Sequence, residues 1–333
     1  MHRLLVALAL VLALFAASPV SAQEVTPPGQ PTDVPGGSET PYDVVRSEHH
    51  GEQPTGYWLF EPVRTSLGYV PLPIVIFLHG YTATDPDLYG AWIDHLVTTG
   101  AVVIYPDYQV DDPLGEPPLN YMGNMLEGVA AALVELDIGD HELVADDAVS
   151  VVGHSMGGVL SLNYASLAGS LGLPLPSVVM PVTPGGCTGC GGPGGDAFGV
   201  PYRDLSLIDP ATKLTMVVGE DDDFVGQLPA RIAWDRTGQI PDKNRDYLVA
   251  RSDRHGDPAL IADHVFPETA GSTAETDALD WYGTWKWLDG TMICAQLGVT
   301  ACDPFMNGGD VQMDMGAWSD GTPVNPPLLV ESP

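Results

Sequence analysis

Positive charge is scarce in this sequence. Its 333 residues hold 12 Lys and Arg, three of them lysine, against 44 Asp and Glu, for a formal net charge of -32 at pH 7. A surface of that sign repels phosphate backbones and anionic headgroups, which excludes nucleic acid and lipid surfaces as electrostatic partners. Long apolar runs are scarce too. Residues 4–17 form one, but it is shorter than the roughly 20 residues a spanning helix needs, and no later run reaches that length, so no stable membrane insertion is expected. Cysteine is limited to four residues. Apolar residues, by contrast, make up 44% of the chain, enough for a sizeable core and too many for a disordered protein.

The N-terminal run follows a single positive charge at Arg3 and ends at the small residues Val20-Ser21-Ala22. That arrangement predicts a cleaved secretory signal over residues 1–22 and an extracellular or periplasmic protein. Residues 23–41 are rich in Pro, Gly and Thr without apolar periodicity, predicting a flexible leader outside the core, with one folded domain over 42–333. In an exported chain an even number of cysteines points to disulfides. Of three possible pairings, Cys187 with Cys190 and Cys294 with Cys302 close the shortest loops. A four-thiolate zinc site is the alternative, although the second pair lacks knuckle spacing.

Short β-branched runs alternate with helix-compatible segments along most of the chain. Strands are predicted at 42–46, 57–60, 74–78, 101–105, 149–152, 178–180, 214–218 and 247–250, and helices at 88–98, 121–136 and after Ser155. Trp281, Trp285, Leu288 and Met292 recur at helical spacing and predict a last helix packed on the sheet. The expectation is an α/β fold, with a mostly parallel sheet of about eight strands covered by helices on both faces.

Within this pattern lies Gly153-His154-Ser155-Met156-Gly157, directly after the β-branched run 149–152. Strand, sharp turn and helix form the context in which a G-x-S-x-G serine projects above a sheet at a helix N-terminus. Here the sequence resembles the α/β-hydrolase superfamily. A second motif, His79-Gly80-Tyr81-Thr82-Ala83 after the buried run 74–78, looks like the family's oxyanion loop. The resemblance implies Ser155 as nucleophile and backbone N–H groups of Tyr81 and Met156 as oxyanion donors, with His79 structural. It also implies the chain order serine, acid, histidine. After Ser155 only His255 and His264 remain; His255, just beyond strand 247–250, is preferred as base on loop position, and His264 stays open. For the acid, Gly219-Glu220-Asp221-Asp222-Asp223 after strand 214–218 resembles the family's turn after its seventh strand, where glycine and acid stand three residues apart; that resemblance implies Asp222, with Asp221 and Asp223 one residue away, and a solvated acidic run or calcium loop is the competing reading.

A serine at the elbow implies acyl transfer, whereas relatives with aspartate or cysteine there perform other reactions. The implied function is a secreted serine esterase acting on small-molecule or polymeric esters, with no metal or organic cofactor. Gly80-Tyr81-Thr82-Ala83 and Gly153-His154-Ser155-Met156-Gly157-Gly158 are also similar to the cutinase and polyester-hydrolase branch, but Val159 and Leu160 stand where a longer glycine run is expected. A serine peptidase of the same fold and an inactive hydrolase-fold binding protein are the alternatives.

Overall fold

The computed structural model describes residues 24–33, 35–64, 70–112, 115–191, 195–271, 274–297 and 302–333. The expected export signal at 1–22 lies outside the described residues. In chain order the elements are β1 Val45–His50, β2 Tyr57–Pro62, β3 Leu72–Leu78, α1 Gly90–Thr99, β4 Val102–Pro106, α2 Tyr121–Ile138, β5 Val144–His154, α3 Met156–Leu171, β6 Pro176–Val182, β7 Lys213–Gly219, α4 Leu228–Arg236, β8 Arg245–Ala250, α5 Trp285–Leu297 and β9 Leu328–Leu329. The strands form one sheet in the order β1-β2-β4-β3-β5-β6-β7-β8-β9. Pairing is parallel from β4 through β8 and antiparallel at the two ends, β1-β2-β4 and β8-β9.

Alternation along β3 shows how the sheet divides the core. Val75 and Phe77 face one side, packed with Trp92 and Leu96 of α1 and Trp285 and Leu288 of α5. Ile74, Ile76 and Leu78 face the other, packed with Met125 and Val129 of α2 and Leu160 and Tyr164 of α3. Strands buried on both faces carry near-continuous apolar runs, which is why β3 and β5 were legible as runs without polar alternation. Leu162 and Ala165, on another side of α3, meet α4 through Ala230 and Ala233, so α3 is buried almost all round.

Three expectations need correction. The sheet has nine strands because the C-terminal segment adds β9 along β8. The first strand starts at Val45, not at residue 42, and α4 was not anticipated. The 23–41 leader is not a free tail in its described part. Val25 packs against the core, its carbonyl accepts from Asp257 N–H at 2.8 Å, Thr26 and Ser319 exchange two hydrogen bonds, and Gly36 N–H donates to buried Asp289 Oδ2 at 2.8 Å. A proline-rich stretch loses little entropy on docking in extended form, so low apolar periodicity did not prevent it from packing.

Cys187 is bonded to Cys190 and Cys294 to Cys302, with Cα separations of 5.4 and 4.6 Å, so the four-thiolate alternative falls. Among the described residues no group of His, Cys, Asp and Glu is placed to hold a metal ion, and no helix is long and apolar enough to cross a membrane.

Candidate active site

The carboxyl ends of β3, β5 and β7 converge, and each leads into a loop carrying one part of the site. Between β5 and α3 the chain turns at Ser155 with φ 54° and ψ -116°, a left-handed-side conformation that a non-glycine residue adopts only under constraint. The constraint is visible: Ser155 N–H donates to Val182 carbonyl and Gly185 N–H donates to Ser155 carbonyl, both at 3.0 Å. The flanking glycines are required by close approach. A Cβ on Gly157 would overlap the carbonyl of Leu78 at the end of β3, and one on Gly153 the carbonyl of Gly157. The G-x-S-x-G spacing is thus what lets helix α3 start directly against β3.

Ser155 Oγ lies 3.0 Å from His264 Nε2, and His264 Nδ1 lies 2.9 Å from Asp222 Oδ2. The other Asp222 oxygen accepts from the backbone N–H groups of Phe224 and Val225, each at 3.0 Å. Burial pushes the Asp222 carboxyl up, but the bond and charge of His264 together with those two N–H groups outweigh it, and the carboxyl is held below its ordinary value. An ionised carboxylate only accepts, so Nδ1 carries the proton toward Asp222 and, in the neutral imidazole, Nε2 accepts from the serine hydroxyl. This buried bonding also removes the solvated-run and calcium-loop readings for Asp222.

Asp221 and Asp223 are excluded from that role by where they point. Asp221 takes Ser252 Oγ and Arg254 Nη2, both at 2.6 Å, and those bonds hold its carboxyl below the usual range. Asp223 is exposed beside the site.

His255, preferred from loop position, is not brought to Ser155. It is partly exposed and its Nε2 lies 2.8 Å from Asp320 Oδ2. After β8 the chain first makes a side excursion closed by reciprocal Asp253–Leu260 backbone bonds of 2.8 and 2.9 Å. It then returns beside β7, where Ala262 carbonyl accepts from Asp221 N–H at 3.0 Å and a Cβ on Gly219 would overlap that same carbonyl. His264 is the first histidine after this return. Gly256-Asp257-Pro258, a turn-forming sequence at the tip of the excursion, was the available signal that residue 255 faces away.

Tyr81, in the loop after β3, and Met156, the first residue of α3, line a cavity of about 280 Å³ with Ser155. Its far wall is Gly185, Gly186, Phe198, Phe224 and Val225. His79 is buried between the rings of Tyr105 and Tyr108, with ring nitrogens 2.8 Å from the Asp107 carbonyl and 2.7 Å from that of Gly80. Burial lowers its pKa to about 4, so at neutral pH it has one N–H and satisfies one of these carbonyls, a structural placement.

The chain matches no model of a known protein family, and comparison with curated proteins gives no match. The chemistry is therefore read from the site itself. A hydroxyl hydrogen-bonded to an imidazole, an imidazole oriented by a carboxylate, and a helix N-terminus beside an apolar cavity together suit nucleophilic attack on a neutral carbonyl.

Proposed function

We propose that this protein is a secreted serine hydrolase of the α/β-hydrolase type that cleaves carboxylic esters through an acyl-enzyme. The observation that carries the reading is the Ser155–His264–Asp222 chain at 3.0 and 2.9 Å, mounted on a strained strand-to-helix turn. The order serine, aspartate, histidine along the chain and the position of the glycine-flanked loop after β3 both support the family assignment. Export is supported by the disulfide pairs Cys187–Cys190 and Cys294–Cys302.

In this reading Ser155 Oγ attacks the ester carbonyl as His264 takes its proton. The N–H of Met156, at the positive end of α3, and that of Tyr81 stabilise the oxyanion. His264 returns the proton to the leaving alcohol, and water repeats the sequence to release the acid. The cavity walled by Phe198, Phe224 and Val225 takes the acyl chain. The test is labelling by a fluorophosphonate followed by peptide mapping. Label on the peptide containing Ser155, lost together with p-nitrophenyl ester hydrolysis in Ser155→Ala, is the expected result. Wild-type turnover in Ser155→Ala overturns the proposal.

A further inference from the structure

Tyr89 and His154 are fully buried and neither lines the cavity, yet hydrogen bonds through them join the two loops that the proposed reaction must hold in register. The Tyr89 hydroxyl accepts from Gly80 N–H at 3.0 Å and lies 2.7 Å from His154 Nδ1; His154 Nε2 lies 2.8 Å from the carbonyl oxygen of His264. Chemistry fixes the direction of every proton. A carbonyl only accepts, so Nε2 bears a hydrogen. Burial, and then the neighbouring His264 imidazole, push the His154 pKa down to about 3, so at neutral pH that is the ring's only proton and Nδ1 is an acceptor. The nearest carboxylate oxygen, on Glu268, is 3.8 Å from Nδ1, beyond hydrogen-bond reach. Tyr89, whose phenol burial keeps protonated, therefore donates to Nδ1 while its oxygen accepts from Gly80.

Two independent features show that this junction is built in. A Cβ on Gly80 would come within 3.2 Å of both His154 Nδ1 and the Tyr89 oxygen, so the loop rests directly on it. The segment after His264 is also tied to the turn that carries Tyr89: Thr269 N–H and Ala270 N–H donate to Leu88 carbonyl at 2.8 and 3.2 Å, and Ala91 N–H donates to Thr269 Oγ1 at 3.1 Å.

We propose that His154 is a positioning residue which, as its Nε2–H tautomer, locks the His264 backbone to the Tyr89 hydroxyl and through it to Gly80. The base and the Tyr81 oxyanion donor are thereby set in one register by the residue that precedes the nucleophile. The catalytic consequence rests on the acyl-transfer reading above, whereas the tautomer and the bonds do not.

Tyr89→Phe deletes the central oxygen and keeps the ring. Per phosphonate-titrated site, kcat falls about ten- to a hundred-fold, the scale of a small misplacement of reacting groups, while KM changes less than about two-fold because no substrate contact is lost. His154→Gln, whose amide can still donate to the His264 carbonyl, retains more kcat than His154→Met, which cannot. Nitrogen-15 NMR of the wild type shows His154 protonated at Nε2 and bare at Nδ1 from about pH 5 to pH 8, and amide exchange at Gly80 is slow in the wild type and fast in Tyr89→Phe. An Nδ1–H tautomer, or Tyr89→Phe with wild-type kcat and a protected Gly80 amide, overturns the inference. A wild type that takes no phosphonate sinks the esterase reading instead, and the NMR result still decides the relay.

Discussion

Ser155 and His264 carry the proposed chemistry at the scale of single residues. A serine held at φ 54° costs on the order of 1–3 kcal/mol, and the bonds to Val182 and Gly185 hold it there. Such strain outside a site would be hard to account for; at the start of α3 it lifts the hydroxyl to the imidazole. The two histidines after Ser155 give a direct contrast. In the proposed reaction, removing the His264 ring deprives the serine of its proton acceptor, so His264→Ala is expected to lower kcat/KM on the order of 10⁶-fold. His255→Ala breaks a surface pair with Asp320 and an edge contact with the Trp318 ring, both away from Ser155, and is expected to leave kcat/KM within about two-fold of wild type. Equal losses in the two variants would mean that the geometry at Ser155 is not the working one.

Elements with strong period or long apolar runs were legible in the sequence, and those defined by tertiary docking were not. β3, β4 and β7 are buried along nearly their whole length and β5 along its second half, and each announced itself as a β-branched or apolar run. α4 is only nine residues long and includes Arg231, Asp235 and Arg236, and β9 is two residues long and exists because β8 offers an edge. Ser155, Asp222 and the glycine-flanked loop after β3 were legible as candidates because each sits next to its strand. His264 was not, because the return of the chain beside β7 depends on contacts between residues some forty apart, such as Asp221 with Ala262.

An ion cluster at the amino end of the sheet is another feature of this second kind. Buried Glu61 of β2 binds Arg46 of β1 at 2.6 Å, His141 Nδ1 at 2.8 Å and the N–H of Glu142 at 2.8 Å. Burial lowers the His141 pKa, but the bonds to Glu61 and Glu135 prevail and the folded value is raised. A raised histidine stabilises the fold fully below its unfolded pKa, and the contribution is lost as pH rises through the folded value. Urea melts of the wild type should therefore lose stability across that interval, and His141→Gln should flatten the change; an unchanged slope would show that the Glu61–His141 pair contributes nothing to the pH dependence. The β6–β7 connection makes a further prediction. Its described residues form two short 3-10 turns and no α-helix, so they place no helical lid over the cavity. Soluble short-chain p-nitrophenyl esters should be hydrolysed with no jump in rate at the substrate's solubility limit, and a sharp interfacial jump would count against an open site.

At the scale of the whole molecule the dominant fact is charge. With 44 acidic against 12 basic residues, most carboxylates have no cation available, and the few that do are drawn into specific pairs such as Arg46–Glu61, Arg64–Glu142 and Arg254–Asp221. The remaining carboxylates repel one another across the surface, and a net charge this far from zero destabilises the compact state relative to an expanded one. Salt shortens the reach of that repulsion, from a Debye length of about 10 Å at 0.1 M to about 3 Å at 1 M. The surface pairs weaken under the same screening, but each is worth only about 0–1 kcal/mol and they are few, so relief of repulsion wins. The thermal midpoint should therefore climb steadily as NaCl is raised from about 0.05 M to about 1 M. Potassium chloride should do the same, which separates screening from specific sodium binding. Ester hydrolysis of uncharged substrates should follow the folded fraction and gain nothing more, because the proposed attack at Ser155 involves a neutral ester and a cavity walled by apolar side chains. A midpoint that stays flat or falls over that range would show that the acidic surface is already relieved by other means.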